Sequence, residues 1–233
     1  MSKIGIILGS GLNKFSSELK EKKLIFEDSK GIHHKKIYSG YIDNKQVFIF
    51  EGRNHYFENP GENKLFFNIS TGLGFGIDLF IITNAAGGLN NAFSVTDLMI
   101  IDSHIDMIHH KFNSKSLSQF YDRDTINKVK ELAYKNNINL RTGTYCCCTG
   151  PVYETPAEIH YYKKYNIDAM GMSTIPEMKF AVKNGAKVIA ISCITNILLE
   201  KPGVSVDHSD VLKAGIKSYG NFSKLLKLII NDC

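Results

Sequence analysis

The segment Gly150-Pro151-Val152-Tyr153-Glu154-Thr155-Pro156-Ala157-Glu158 sets an aromatic ring beside a carboxylate where a strand gives way to a helix. An aromatic face stacks on a planar heterocycle, and an ionised carboxylate accepts only from N–H groups, so the pair suits a flat ligand with a donor edge. A second chemistry lies in Gly9-Ser10-Gly11, where backbone N–H groups and a hydroxyl follow a strand and can donate to an anion. The third glycine of a dinucleotide fingerprint is missing from Gly9-Ser10-Gly11-Leu12-Asn13-Lys14, and no Gly-Lys-Ser/Thr follows. A single small anion therefore fits better than a dinucleotide or a triphosphate. Arg53 can grip a phosphate with its planar fork, His55 shares its face two residues on, and Ala85 in a glycine-rich turn offers a backbone donor. Together they favour inorganic phosphate or a phosphate ester.

These residues need a scaffold that brings them to one place. Strands are expected at Ile4–Leu8, Gln46–Phe50, Asp78–Thr83, Leu98–Ile101, Gly143–Cys148 and Lys187–Ser192. Helices are expected at Glu62–Leu73, Asp122–Lys135, Ala157–Tyr165, Pro176–Asn184 and Val206–Asn231, with 105–120 as a loop. The alternation implies an α/β fold, a single domain over residues 1–233 with a central mixed, mostly parallel sheet flanked by helices. Ligands of such sheets gather beyond the carboxyl ends of the strands. Gly9–Gly11, Gly52–His55, Asn84–Gly88, Gly150–Glu154 and Thr195-Asn196 each follow an expected strand, so all five should meet at one rim.

Composition narrows the partners. The 233 residues are 43% hydrophobic, enough for one sizeable core, and no apolar run is long enough to cross a bilayer. The net charge of +5 comes from scattered Lys rather than a basic tract, so neither nucleic acid nor membrane is an expected partner. Five cysteines, three of them consecutive (Cys146, Cys147, Cys148), make a poor disulfide framework and point to a reducing compartment, the cytoplasm by default. On a strand Cys146 and Cys148 face one way and Cys147 the other, so the three cannot close one metal site and read as small hydrophobes.

Six blocks in order carry a resemblance: Ile-Leu-Gly-Ser-Gly-Leu (7 to 12), Gly-Arg-Asn-His-Tyr-Phe-Glu (52 to 58), Thr-Asn-Ala-Ala-Gly-Gly-Leu-Asn (83 to 90), Gly-Pro-Val-Tyr-Glu-Thr-Pro-Ala-Glu (150 to 158), Gly-Met-Ser-Thr-Ile-Pro-Glu (171 to 177) and Ser-Cys-Ile-Thr-Asn (192 to 196). The chain resembles the trimeric purine nucleoside phosphorylases over nearly its whole length. That resemblance implies a homotrimer with no cofactor, in which inorganic phosphate displaces a purine from the anomeric carbon of a β-nucleoside to give α-ribose 1-phosphate. By matching position it implies phosphate ligands at Ser10, Arg53, His55, the backbone of Ala85, and Ser173, with His33 near the phosphate mouth. It places Tyr153 at the stacking aromatic, Glu154 on the purine N–H edge, Asn196 at the six-position oxygen and adjacent imidazole nitrogen, Met172 under the ribose and His208 at its 5′-hydroxyl. Asn196, Glu154 and His55 form the implied catalytic set.

Asn196 stands where the related methylthioadenosine phosphorylases carry Asp, which favours a six-oxopurine. Glu154 argues the same way, because inosine and guanosine, with their deoxy forms, present a ring N–H where adenosine presents an acceptor. Three positions depart from the family. Phe57 replaces a Tyr that hydrogen-bonds a ribose hydroxyl, so this chain either lacks that bond or makes it through Tyr56. The segment between His104 and Tyr121 is short, with Phe112 or Phe120 as substitutes for a Phe that closes the neighbouring subunit's site. Ile197 replaces a Lys. The competing readings are a methylthioadenosine or adenosine phosphorylase, and a purine-binding protein without turnover.

Overall fold

The computed structural model describes residues 3–29, 34–58, 62–108, 120–200 and 207–232, with only the backbone of 62, 63 and 208. Among the described residues are nine strands and six α-helices: β1 (Ile4–Ile7), β2 (Lys20–Asp28), β3 (Lys35–Ile42), β4 (Lys45–Glu51), α1 (Glu62–Leu65), α2 (Phe67–Gly74), β5 (Leu79–Gly88), β6 (Leu98–Asp106), α3 (Arg123–Lys135), β7 (Leu140–Cys147), α4 (Pro156–Lys163), β8 (Ala169–Gly171), α5 (Ile175–Lys183), β9 (Lys187–Ile197) and α6 (His208–Asp232). A 3-10 helix at Asn13–Glu18 follows β1. The sheet order is β2-β3-β4-β1-β5-β8-β7-β6-β9, and β5 also pairs with β9, so β5, β8, β7, β6 and β9 close on themselves. The expected mixed sheet is present, with the β1–β4, β1–β5, β5–β9, β6–β7 and β7–β8 pairings parallel and the others antiparallel.

Residues alternate between two buried faces, as expected of strands covered on both sides. Ile4, Ile6, Leu79, Ile81, Ile189 and Ile191 pack under α3 and α6 against Val129, Phe222 and Leu226. Ile7, Phe80, Ile82 and Ala190 point the other way and pack on α2 and α5 through Ile69 and Met178. At about 25 cal/mol per Å² of apolar surface, this two-sided burial is the main term holding the sheet.

Several expectations change. The ribbon β2–β3 is not among the expected elements, because Lys20–Asp28 is a charged and largely exposed edge strand without apolar alternation. The three-residue strand β8 is too short to leave a pattern. The helix expected over Glu62–Leu73 is two helices broken at Phe66, whose buried ring stacks on Phe180 at 4.5 Å. Ile105 and Asp106, expected in a loop, extend β6 in register with Cys146 and Cys147. Residues 109–119, including Phe112, lie outside the described residues.

Candidate active site

A cavity of about 460 Å³ opens at the carboxyl ends of β1, β4, β5, β7, β8 and β9, and all five expected rim segments line it. Ser10, Arg53, His55, Ala85, Ser173, Tyr153, Glu154, Met172 and Asn196 are among its walls. His33 lies outside the described residues, as does the side chain of His208. Tyr56 is a correction: its ring packs against the apolar cluster beneath the sheet, and Phe57 takes the place at the cavity. Phe57 stacks on His55 with centroids 5.2 Å apart and brings no hydroxyl to the wall.

The end of the cavity where an anion is expected is built by close backbone approaches. Gly9 follows β1 and runs so near β5 that a Cβ there would sit 2.6 Å from Cα of Asn84. Its N–H donates to Oγ1 of Thr83, which in turn donates to the carbonyl of Ile7. Gly11, at φ 79°, lies against Gly215 of α6, so the helix can approach the Ser10 turn. Ala85 is in strand β5 rather than in a turn, with Cys193 of β9 as its partner. Its neighbour strands on the other edge, β1 and β8, end at Ile7 and begin at Ala169, opposite Leu79–Ile82 and Gly87-Gly88 respectively. The backbone of Ala85 therefore faces a gap in the sheet, on the edge where the Thr83 carbonyl accepts from Arg53.

Arg53 is 5% exposed and held from several directions. Nη1 donates to Oγ of Ser173 at 2.8 Å and to Oγ1 of Thr174 at 3.2 Å, and Nη2 donates to the Thr83 carbonyl at 2.6 Å. These bonds use three of the five guanidinium N–H groups. Glu177 lies 3.3 Å from Nη1 and is also buried; desolvation pushes its carboxyl up, and Arg53 opposes that shift. His55 donates its backbone N–H to Oε1 of Glu58 and meets the same oxygen through Nδ1 at 2.8 Å. A carboxylate accepts only, so it fixes Nδ1 as the donor of that bond.

The end of the cavity where a flat base is expected depends on a helix start and a bulge. Thr155 caps α4 by accepting from the Glu158 N–H, and Glu158 accepts from the Thr155 N–H, with Pro156 at the first position. This capping box fixes the chain direction directly after Tyr153-Glu154. Burial raises the pKa of Glu154, and the negative charge of Glu158 adds to the rise. The β5–β9 register slips at Thr195, with Ile194 opposite Ala86 and Asn196 opposite Gly87. Such a bulge re-aims the next side chain. Oδ1 of Asn196 accepts from the Thr195 hydroxyl at 3.1 Å, while Nδ2 is buried with no hydrogen-bond partner among the described residues. The site thus holds an unused amide donor in one wall and a carboxylate acceptor in another.

Sequence reasoning passes over Asn84, Thr174, Glu177 and Glu58, which support the groups above, and Asn13, Val211 and Leu212, which also line the cavity. Glu58 has a signal in His-x-x-Glu. The others act through tertiary contacts that no local spacing reports. Among the described residues no cluster of His, Cys, Asp or Glu could hold a metal, and no helix is long and apolar enough to cross a membrane.

Comparison with known proteins places these features in a family. The model of the phosphorylase superfamily matches residues 3–231. A purine nucleoside phosphorylase 1 from Bacillus subtilis is 34% identical over 250 residues, covering 98% of this chain and 91% of the relative. The structure of Schistosoma mansoni purine nucleoside phosphorylase with inosine superposes with a TM-score of 0.90 at 29% identity, covering 100% of this chain and 90% of that one. The same enzyme with adenosine also gives 0.90, at 28% identity, covering 98% and 90%.

Proposed function

The chain belongs to the phosphorylase superfamily, among the purine nucleoside phosphorylases, and we propose that it cleaves six-oxopurine nucleosides and deoxynucleosides with inorganic phosphate. The observation that carries the preference is the pairing, in one cavity, of the unpartnered Nδ2 of Asn196 with the carboxylate of Glu154. A six-oxopurine offers an acceptor oxygen to the first and a ring N–H to the second. Adenosine reverses both, placing an amine against the amide N–H and a lone pair against the carboxylate. Because relatives are found with inosine and with adenosine, the choice rests on these two side chains.

In this reading Ser10, Arg53, His55, Ser173 and the Ala85 backbone hold phosphate, with His33 at its mouth. Its negative charge beneath the ribose stabilises the oxocarbenium character of the transition state. Asn196 donates to the departing purine as negative charge gathers there, and each such charge-assisted bond is worth about 1.5–3 kcal/mol. Tyr153 stacks on the base, Met172 packs under the sugar and His208 binds its 5′-hydroxyl. We assign the functional unit as a homotrimer of single-domain chains in the cytoplasm. Exposed Val152 and Leu199 beside the cavity suit coverage by a neighbouring subunit, and the four described cysteines, all free thiols, suit a reducing compartment.

The test is base release from inosine, guanosine, adenosine and methylthioadenosine, each with and without phosphate, followed by absorbance. Release from inosine and guanosine only with phosphate is expected. Preferred release from either six-amino substrate overturns the specificity, and no release from any substrate overturns turnover itself.

A further inference from the structure

The three consecutive cysteines take no part in the reaction above, and the strand divides them. Cys147 lies on the α5 side and donates its Sγ–H to the carbonyl of Ser173 at 3.1 Å. Cys146 and Cys148 lie on the other face, beside Ile159, Met170 and Tyr162, with their Sγ atoms 3.8 Å apart. Cys146 is buried, whereas Cys148, one residue past the end of β7, is only partly so. We infer that Cys146 and Cys148 form a redox-responsive dithiol, which hydrogen peroxide converts to an internal disulfide that shifts the base-binding loop and lowers turnover.

The chemistry closes without further reactants. Cys148, the accessible thiol, attacks one peroxide oxygen as its thiolate; the O–O bond breaks, one water leaves and a sulfenic acid remains. Cys146 then attacks that sulfur, the S–O bond breaks, the S–S bond forms, and the displaced hydroxide leaves as water with the Cys146 proton. Two thiols are oxidised and one peroxide is reduced to two waters.

Geometry links this bond to the site. The sulfurs must close from 3.8 Å to about 2.05 Å. An extended strand holds residues i and i+2 about 6.5 Å apart at Cα, near the upper limit for a disulfide, so the backbone has to pucker. Cys146 is fixed in register between Ile105 and Met170. Cys148 has left the strand, and its backbone is tied through its N–H to the Gly171 carbonyl at 2.7 Å. The displacement therefore falls on Cys148 and on the chain leading through Gly150 to Tyr153 and Glu154. A disulfide strained in this way is readily reduced, which makes the change reversible.

Trypsin cutting after Arg141 and Lys163 releases one peptide, 142–163, that carries these three cysteines and no other. After peroxide treatment and alkylation that peptide should be two hydrogen atoms lighter and carry one alkyl group instead of three. The effect on activity rests on the function proposed above, and inosine turnover should fall about tenfold or more, since small displacements of positioned groups cost that much. Dithiothreitol should restore both. Cys147→Ser should still form the bond, Cys148→Ser should neither form it nor lose activity, and Cys146→Ser should add oxygen instead. Three alkyl groups after peroxide, failure of Cys147→Ser to form the bond, or a disulfide that leaves turnover unchanged would overturn the inference. The peptide readout needs no nucleoside, so it decides the dithiol even if phosphorolysis is not found.

Discussion

Arg53 donates from Nη1 to Oγ1 of Thr174 at 3.2 Å, and Thr174 holds a backbone conformation, φ 79° and ψ −56°, that β-branched residues seldom adopt. The Ile175 N–H closes back onto the Ser173 carbonyl at 3.0 Å, so Thr174 is the apex of a strained γ-turn. The turn presents two hydroxyls at once, Ser173 and Thr174, to one guanidinium nitrogen. Asn84 donates to the same Thr174 oxygen at 2.8 Å.

Thr174→Ala leaves the donors of Arg53 and Asn84 without that acceptor in a buried place. It should destabilise the fold by about 1–3 kcal/mol and raise the KM for phosphate about tenfold or more. Thr174→Ser, which keeps the hydroxyl, should remain near the parent in both. Urea unfolding and phosphate titration at fixed inosine check this; an unchanged phosphate KM in the alanine variant would separate the turn from the anion site.

In the proposed reading Glu154 must be ionised to accept from the purine N–H, and its pKa is raised, first by burial and then by Glu158. As pH falls through that raised value the carboxyl takes up a proton, so kcat/KM for inosine at saturating phosphate should drop on the acid side. Glu158→Gln removes the negative neighbour while Gln can still complete the capping box. Its acid limb should move to lower pH. A limb that stays in place, or moves upward, would show that another group sets it.

His104 donates or accepts through Nδ1 with the Tyr121 hydroxyl at 2.7 Å. Burial, with Lys179 adding and Asp106 opposing, holds its imidazole down at about 4. The unfolded chain binds the proton more tightly, near 6.5. The sign is therefore that this stabilisation is complete above about 6.5 and is lost as pH falls toward about 4, a contribution of a few kcal/mol. Unfolding midpoints measured across that interval should fall less steeply in His104→Gln than in the parent; parallel slopes would remove His104 from the acid response.

The strands that carry the site are legible in the sequence because Ile4–Ile7, Leu79–Ile82 and Val188–Ile191 are apolar on both faces, and the glycines and polar residues following them mark where each rim segment begins. The same logic cannot see that β5 and β9 run on through Gly88 and Ile197, since Asn84–Gly88 has turn-like composition and is kept extended only by pairing with β9. It selects Tyr56 for a hydroxyl contact by chemistry alone, and the chain direction after His55 sets that ring, partly buried, against the apolar cluster instead of the cavity. The bulge at Thr195 and the γ-turn at Thr174 are equally hidden, because both conformations are imposed by partners far along the chain.

The most direct test of the account is the ratio of kcat/KM for inosine to that for adenosine, at saturating phosphate, in the parent chain and in Asn196→Asp. The parent should prefer inosine by about 10²-fold or more, because adenosine leaves two buried polar groups wrongly paired. In Asn196→Asp an acceptor replaces the Nδ2 donor, so the ratio should narrow or reverse. Equal use of the two nucleosides by the parent, or a ratio untouched by the substitution, would contradict the assignment of Asn196 and Glu154 as the pair that reads the base.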